Sequence, residues 1–412
     1  TEETQTQTQT QTHPDWTTLL STSIASLRLM MASLSDDDTD AATMQRLRSA
    51  MAIGAPPTSL RVAIDQLRIP RRHDLFLDGM DMDDADGDFD AEWLVFKSSL
   101  SLSLSLKKSR SNGDLANSEQ VILYLHGGGY CMASKKTHRG ITWKLAKHSN
   151  CKLLAIDYRL APEHVFPLAL HDAISAYSYL TNPPPNSKAK KYDPSKVVIM
   201  GDSSGGGLAL ALCLWIRDKG EQYGLRMPAG AGLLSPWLDL TASTRSYKTN
   251  AKWDYLPDRN KGAMLNENRK QYYVKDNSYL THPLVSPYFA TESKELELFD
   301  SMVHVFQMFS TFLPIAELAL ERMGMFVQKV TRSGFKDFPR EYSRFAAHDE
   351  HAMSDLTPEE IDAYLFEPPT PLVSKNSSKK GSRELKDNHI DNQKDNQESK
   401  KDQGIHMNLL LQ

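Results

Sequence analysis

One serine lies between two glycines where the pattern of a buried strand gives way to the pattern of a helix. Ser203 stands in the segment GDSSGGG, with Gly201 two residues before it and Gly205 two residues after it. Glycine at these positions permits a strained turn and leaves no side chain to block the hydroxyl. The apolar runs on both sides, residues 197–200 and 208–216, place the serine on a sharp strand-to-helix turn. We therefore interpret Ser203 as a nucleophile.

A second glycine-rich segment lies upstream, directly after another apolar run at residues 121–125. Its sequence, HGGGY, contains Gly127, Gly128 and Gly129. Unobstructed backbone N–H groups stabilise the oxyanion that forms when a hydroxyl attacks an ester carbonyl. The sequence predicts an oxyanion hole built from these glycines and from the N–H of Ser204, the residue after the nucleophile. Ser204 also competes as nucleophile, but only Ser203 has glycine two residues away on both sides.

A histidine must accept the serine proton, because an unassisted hydroxyl is a poor nucleophile at neutral pH. Among thirteen histidines, His304 is the predicted base, since it follows a predicted strand and precedes an amphipathic helix. Four others are assigned elsewhere: His126 to ordering of the HGGG turn, His164 to structural packing, and His348 and His351 to a polar segment. For that polar pair a solvated turn is favoured over a metal site.

These segments resemble the hormone-sensitive-lipase-like (GDXG) branch of the α/β-hydrolases, and more closely the fungal esterases of that branch. The shared motifs are HGGGY, DYRLAPEH, GDSSGGG, LLSPWLDL and DSMVHVFQMF, in the family's order over residues 90 to 330. The resemblance implies a mostly parallel sheet with helices on both faces and a helical cap. It also implies ester hydrolysis without a cofactor or metal, with Ser203 and His304 as catalytic residues and with Gly128 and Gly129 favoured for the oxyanion hole.

The acid that completes the catalytic triad in this family has no counterpart among the matching motifs of this chain. Family members carry an acid on a loop after a strand, followed by a helix, between the serine and the histidine. Here the cap region runs directly into the strand before His304, so one strand–helix unit is missing and strand 229–234 is expected to pair directly with strand 295–299. The aspartates considered and rejected are Asp239, Asp254, Asp258 and Asp276 in or near the cap, and Asp300 just before the histidine. The triad acid stays unassigned.

Two hypotheses of function remain open. The first is a carboxylic ester hydrolase for small or medium acyl esters, such as an acetylated lipid or sterol. Under this hypothesis the acid segment is missing because the coding segments are wrongly joined, because the transcript is alternatively spliced, or because the protein has truly lost it. The second is a non-catalytic binding module that keeps a capped pocket for a hydrophobic ligand. The intact serine turn and HGGG run favour the first, and the missing acid favours the second.

The elements that must position these residues follow a regular alternation from residue 117 onward. Alternating strands and helices specify a parallel sheet covered on both faces. Strands are predicted at 92–97, 121–125, 152–156, 196–200, 229–234 and 295–299, and helices at 135–148, 167–180 and 203–217. Together they form a hydrolase domain over residues 91–332, in which residues 235–287 are a cap or pocket insertion.

The flanking segments have other compositions. Residues 16–90 are predicted to hold two cap-forming helices, at 16–31 and 43–53, and an acidic turn. That turn is not a calcium loop, because Met82 and Trp93 stand where acids are required. The run at 98–106 is interpreted as an insertion rather than a hairpin strand. Residues 333–373 form a C-terminal extension, and the tails at 1–15 and 374–412 are predicted to be disordered.

Composition narrows the function classes. The net charge is −4, which gives no indication of nucleic-acid binding, and three sparse cysteines argue for a reducing compartment and against a zinc site. No segment has the length and apolarity of a membrane span, and no signal peptide is recognised, so a cytoplasmic location is expected. The expected partner is a small-molecule ester substrate, and the oligomeric state is not specified by these features.

Overall fold

The structure is a computed structural model. It describes residues 12–33, 41–53, 60–97, 119–185, 187, 189–244, 247, 250–256, 272–289, 295–332, 341–346, 349–357 and 407–411. The predicted insertion at 98–106, the beginning of the N-terminal tail at 1–11 and residues 374–406 of the C-terminal tail lie outside these residues.

The described residues contain one ten-stranded sheet with the order β1-β2-β4-β3-β5-β6-β10-β7-β8-β9. The strands are β1 (Val62–Pro70), β2 (Asp88–Phe96), β3 (Val121–Leu125), β4 (Lys152–Ile156), β5 (Val197–Asp202), β6 (Gly230–Leu234), β7 (Glu295–Phe299), β8 (Glu341–Ala346), β9 (Asp349–Asp355) and β10 (Met407–Leu411). Neighbours from β4 to β8 are parallel. The edges are antiparallel, with β1 and β2 at one and β9 at the other.

Helices cover both faces of the sheet. They are α1 (Thr18–Ser33), α2 (Ala41–Ile53), α3 (Arg139–Ser149), α4 (Leu168–Thr181), α5 (Ser203–Lys219) and α6 (Pro314–Val330). Helices α4 and α5 pack in one hydrophobic core, and α1, α3 and α6 pack in the other. The predicted α/β-hydrolase architecture with a mostly parallel sheet is confirmed.

The central strands form because their side chains are apolar on both faces. All five residues of β3 are buried. Val121 and Leu123 point into one core, whereas Ile122 and Tyr124 point into the other, as the two-residue period of a strand requires. The three cysteines are buried and free, and burial raises the pKa of the Cys131 thiol to about 12.

Most predicted boundaries agree with the structure to within a few residues, and two differ for local reasons. Helix α3 begins at Arg139 rather than at residue 135, because Lys135 is held in the preceding turn. Its N–H donates to the Asp157 carboxylate at 2.7 Å, and its ammonium pairs with the same group. Strand β2 begins four residues earlier than predicted because it pairs along its whole length with β1, a strand that was not predicted from the sequence.

The expectation of a direct pairing between β6 and β7 is wrong. Strand β10 lies between them and is parallel to both, with Leu409 in register with Leu233 on one side and Leu296 on the other. The predicted disorder of the tail 374–412 is therefore wrong for residues 407–411. Without β10, the facing edges of β6 and β7 would leave backbone N–H and C=O groups without hydrogen bonds. The apolar residues of β10 supply the partners for these groups.

The C-terminal extension predicted at 333–373 contributes two strands to the sheet. Its β8 and β9 form an antiparallel pair at the edge of the sheet. The solvated turn expected at His351 is wrong, because this residue lies within β9. His348 lies outside the described residues. Among the helices of the described part of the chain, none is long and apolar enough to cross a membrane.

The N-terminal segment around α1 contacts two loops near the site, the loop that follows β7 and residues 252–254. The indole N–H of Trp16 donates to the Ser301 carbonyl at 2.6 Å. From α1 itself, Arg28 donates to the carbonyls of Asp254 and Lys252, both at 3.0 Å. These bonds bring the start of the chain to the carboxyl ends of the parallel strands, where open α/β sheets hold their sites.

Candidate active site

Ser203 occupies the sharp turn between β5 and α5. Its φ is +50°, in the left-handed region that side chains rarely adopt. A Cβ at Gly201 would overlap the Gly205 carbonyl, and a Cβ at Gly205 would overlap the Leu125 carbonyl. The turn therefore needs glycine at both positions, which is the physical basis of the G-x-S-x-G spacing.

The His304 imidazole lies beside the Ser203 hydroxyl. Its Nε2 is 2.8 Å from Ser203 Oγ, although the two residues are 101 positions apart. His304 is buried, and burial lowers the pKa of its imidazole below the ordinary value, while the negative charges of Asp254 and Asp202 partly offset this shift. A histidine with a lowered pKa is neutral at pH 7 and can accept the serine proton.

No carboxylate among the described residues forms a hydrogen bond or ion pair with the His304 imidazole. Asp300 instead accepts two bonds from Arg344 Nε, at 2.9 and 2.8 Å. Asp239 accepts bonds from Thr241 and Ser243. The third member of a triad is thus absent from the part of the chain that the structure describes.

The three remaining acidic candidates differ in position. Asp276 caps a short 3-10 helix by accepting from the Ser278 N–H at 2.7 Å, whereas Asp258 lies outside the described residues. Asp254 is the exception among the acids considered, because its Oδ2 accepts a bond from the His304 main-chain N–H at 2.9 Å.

The HGGG segment approaches the serine turn after β3. The Gly127 N–H is already used, since it donates to Asp202 Oδ1 at 3.0 Å. Among the described residues, the N–H groups of Gly128, Gly129 and Ser204 have no hydrogen-bond acceptor. A Cβ at Gly128 would overlap the Met132 carbonyl. Unengaged backbone donors next to the turn of Ser203 are what an oxyanion hole would require.

A buried network around Asp202, which no sequence pattern predicted, holds these two segments together. Besides the Gly127 N–H, Asp202 accepts from the Tyr124 hydroxyl at 2.6 Å and lies 3.2 Å from His138 Nε2. Burial alone would raise the pKa of Asp202, but the His138 charge and these hydrogen bonds hold it below its ordinary value. The aspartate within GDSSGGG was a visible signal, whereas nothing in the sequence singled out His138 among the histidines.

His126 and His164 each form hydrogen bonds with backbone groups in their own loops. His126 stacks on Tyr158 with ring centroids 4.4 Å apart, and its Nδ1 lies 2.7 Å from the Gly127 carbonyl. Burial lowers the pKa of His126 to about 4, so it stays uncharged at neutral pH. The His164 N–H donates to the Leu160 carbonyl at 2.9 Å within a turn. Neither imidazole forms a hydrogen bond with Ser203.

One cluster among the described residues has the spacing of metal ligands. His148, Glu317 and Glu321 bring ligand atoms within 4.8 Å of one another on α3 and α6. The Lys144 ammonium donates to Glu317 at 2.6 Å, and His148 Nε2 lies 2.8 Å from the same carboxylate. These contacts form a network of ion pairs between two helices, which is distant in sequence from the serine turn.

Comparisons with known proteins match the segment that holds this site. A family model for the alpha/beta hydrolase fold matches residues 122–332. An esterase of Acinetobacter venetianus is 31% identical over 247 residues, which cover 51% of this chain and 75% of that protein. An acetyl-hydrolase of Streptomyces hygroscopicus is 30% identical over 249 residues, which cover 53% of this chain and 78% of that protein.

Solved structures share the same architecture. A crystal structure of EstE5, soaked with p-nitrophenyl butyrate, has a TM-score of 0.54 and 27% identity, covering 77% of this chain and 99% of that chain. A hormone-sensitive lipase from a metagenome library has a TM-score of 0.54 and 25% identity, covering 76% of this chain and 98% of that chain. Ser203 and His304 both lie within the matched family segment.

Proposed function

This chain belongs to the α/β-hydrolase fold family as a carboxylesterase- or lipase-like hydrolase, and we propose that it cleaves carboxylic esters with Ser203 as nucleophile and His304 as base. The observation that carries the proposal is the 2.8 Å separation of Ser203 Oγ from His304 Nε2. A hydroxyl and a neutral imidazole at this distance are arranged for proton transfer.

In the acylation step, Ser203 Oγ attacks the ester carbonyl while His304 Nε2 takes the hydroxyl proton. The carbonyl oxygen becomes an oxyanion, which accepts hydrogen bonds from the N–H groups of Gly128, Gly129 and Ser204. Collapse of this intermediate expels the alcohol, which receives the proton from His304. Water then attacks the acyl-enzyme by the same route, and His304 again acts first as base and then as acid.

The imidazolium formed in each step lacks a carboxylate at Nδ1 among the described residues. In serine proteases, loss of that carboxylate lowers turnover by about ten-thousand-fold, while the oxyanion hole still supports part of the catalysis. We therefore propose a slow esterase rather than an inactive one.

The proposed substrates carry small or medium acyl groups. This choice is supported by two of the similar proteins, an acetyl-hydrolase and EstE5, whose crystals were soaked with p-nitrophenyl butyrate. We also propose that α1 and residues 250–256 form part of a cap, because they lie against the loop of His304 and present the buried Tyr255 ring 6.2 Å from its imidazole. An acetylated lipid or sterol stays a prediction.

The alternative function, a binding module without catalysis, is not favoured. A ligand pocket has no need of a nucleophile in a strained backbone conformation, held in contact with a buried base, and the relatives named above are hydrolases. The expected likeness to fungal esterases also stays a prediction, because these two relatives are bacterial.

The pH dependence of p-nitrophenyl butyrate hydrolysis tests this function. Only neutral His304 can accept the proton, so kcat/KM should fall as pH drops through the pKa of this residue. Because burial lowers that pKa below its ordinary value of 6.5, the acidic limb of the profile should have its midpoint below pH 6.5. Absence of hydrolysis at any pH, or a midpoint above pH 6.5, would contradict the proposal.

A further inference from the structure

The His304 main chain is held by a carboxylate that is not a triad acid. Asp254 Oδ2 accepts from the His304 N–H at 2.9 Å, and its Oδ1 accepts from the Leu256 N–H at 3.1 Å. We propose that Asp254 is a positioning residue for His304. It fixes the loop that carries the base and adds a negative charge to a site in which no carboxylate among the described residues contacts the imidazole. This inference rests on the proposed ester hydrolysis.

The loop that carries His304 needs such support because its backbone is strained. Ser301 has a φ of +59° and Val305 a φ of +48°. Left-handed conformations are costly for residues other than glycine, above all for β-branched valine, and persist only where the surroundings impose them. Trp16 holds the loop at the Ser301 carbonyl, and Asp254 holds it at the His304 N–H, between the two strained residues.

Asp254 is itself held in place. Its N–H donates to the Asn250 carbonyl at 3.1 Å, and its carbonyl accepts from Arg28 Nε at 3.0 Å. The aspartate is therefore part of a turn that Arg28 of α1 holds by a hydrogen bond. It contacts His304 from the proposed cap and not from the sheet.

Two carboxylates act on the His304 charge from different elements. Asp254 contributes the larger stabilising effect on the imidazolium, and Asp202 contributes the smaller one. Asp202 lies at the end of β5, where it is bound to Tyr124 and lies within hydrogen-bond distance of His138. The neighbouring Tyr255 is protonated, because burial raises its pKa well above the ordinary value. Asp254 thus comes closest to replacing the charge of a triad acid, although it does not contact Nδ1.

The test is the Asp254→Asn variant, which keeps an acceptor oxygen for the His304 N–H and removes the charge. We expect kcat/KM for p-nitrophenyl butyrate to fall about tenfold, the equivalent of one pKa unit of lost stabilisation, with KM little changed. The acidic limb should move to lower pH, since removing a negative charge makes the imidazolium harder to form. Asp254→Glu keeps the charge, so the acidic limb of its pH profile should have the same midpoint as in the unaltered protein.

An NMR titration of the His304 ring measures the same effect without any substrate, with His304→Ala used to assign the resonance. The pKa of His304 should be lower in Asp254→Asn than in the unaltered protein. The control is Asp300→Asn, which removes a carboxylate that is bound to Arg344 and lies four residues from His304 in sequence. In this control the pKa of His304 should be unchanged. An equal pKa of His304 in the unaltered protein and in Asp254→Asn would overturn the inference. Absence of hydrolysis together with a lowered pKa would refute only the proposed function.

Discussion

Replacement of His304 by alanine should lower kcat/KM for p-nitrophenyl butyrate by about a hundredfold, far less than the loss expected in a complete triad. In subtilisin, removal of the base costs about two-million-fold in kcat, and removal of the acid alone costs about thirty-thousand-fold. A site without the acid has already lost the rate factor that the acid contributes. The further loss on removing the base is then the base factor divided by the acid factor, roughly 70. The measurement is steady-state kinetics on purified variants.

His73→Ala is the matched control, because this histidine lies at the surface and pairs with Asp86. It should leave kcat/KM unchanged. A loss near a million-fold in His304→Ala would mean that a carboxylate outside the described residues serves Nδ1. No loss at all would mean that His304 is not the base.

Replacement of Leu409 by proline should lower the melting temperature by roughly 5 to 10 °C. Leu409 is in the middle of β10, which is hydrogen-bonded to a strand on each side. Proline has no N–H to donate and is excluded from interior strands. A lost hydrogen bond and a stranded buried carbonyl cost together about 2 to 4 kcal/mol, and each kcal/mol lowers the melting temperature by about 2 to 4 °C in a domain of this size class.

Leu409→Val is the control for this experiment, since valine keeps the N–H and has a high preference for strands. Its melting temperature should lie close to that of the unaltered protein. Equal melting temperatures for the proline and valine variants would show that residues 407–411 do not fill the position between β6 and β7.

The parallel core of the sheet could be predicted from the sequence because its strands are buried on both faces. Such strands appear as continuous apolar runs, and the glycines around Ser203 and after β3 mark turns that no other residue can form. Strands β3, β4 and β7 have the predicted bounds. The proximity of Ser203 and His304 followed from the motif order rather than from any local pattern.

Other features could not be predicted, for physical reasons. Strand β10 pairs with residues more than a hundred positions away, and its five residues follow a long polar segment whose composition dominated the prediction of disorder. The link between Asp254 and His304 is a bond to the main chain, which carries no signature of residue type. Aspartates in loops most often serve local turns, and Asp254 also does so through Leu256.

The most direct test of this account is to treat the unaltered protein with a fluorophosphonate and to locate the adduct by peptide mass spectrometry. Such probes react with a serine hydroxyl that a base activates, so a single adduct is expected on Ser203. It should form slowly, because no carboxylate among the described residues contacts the His304 imidazole. Labelling should disappear in Ser203→Ala and persist in Ser204→Ala. An adduct on another serine, or labelling that survives Ser203→Ala, would contradict the assignment of the nucleophile and with it the proposed mechanism.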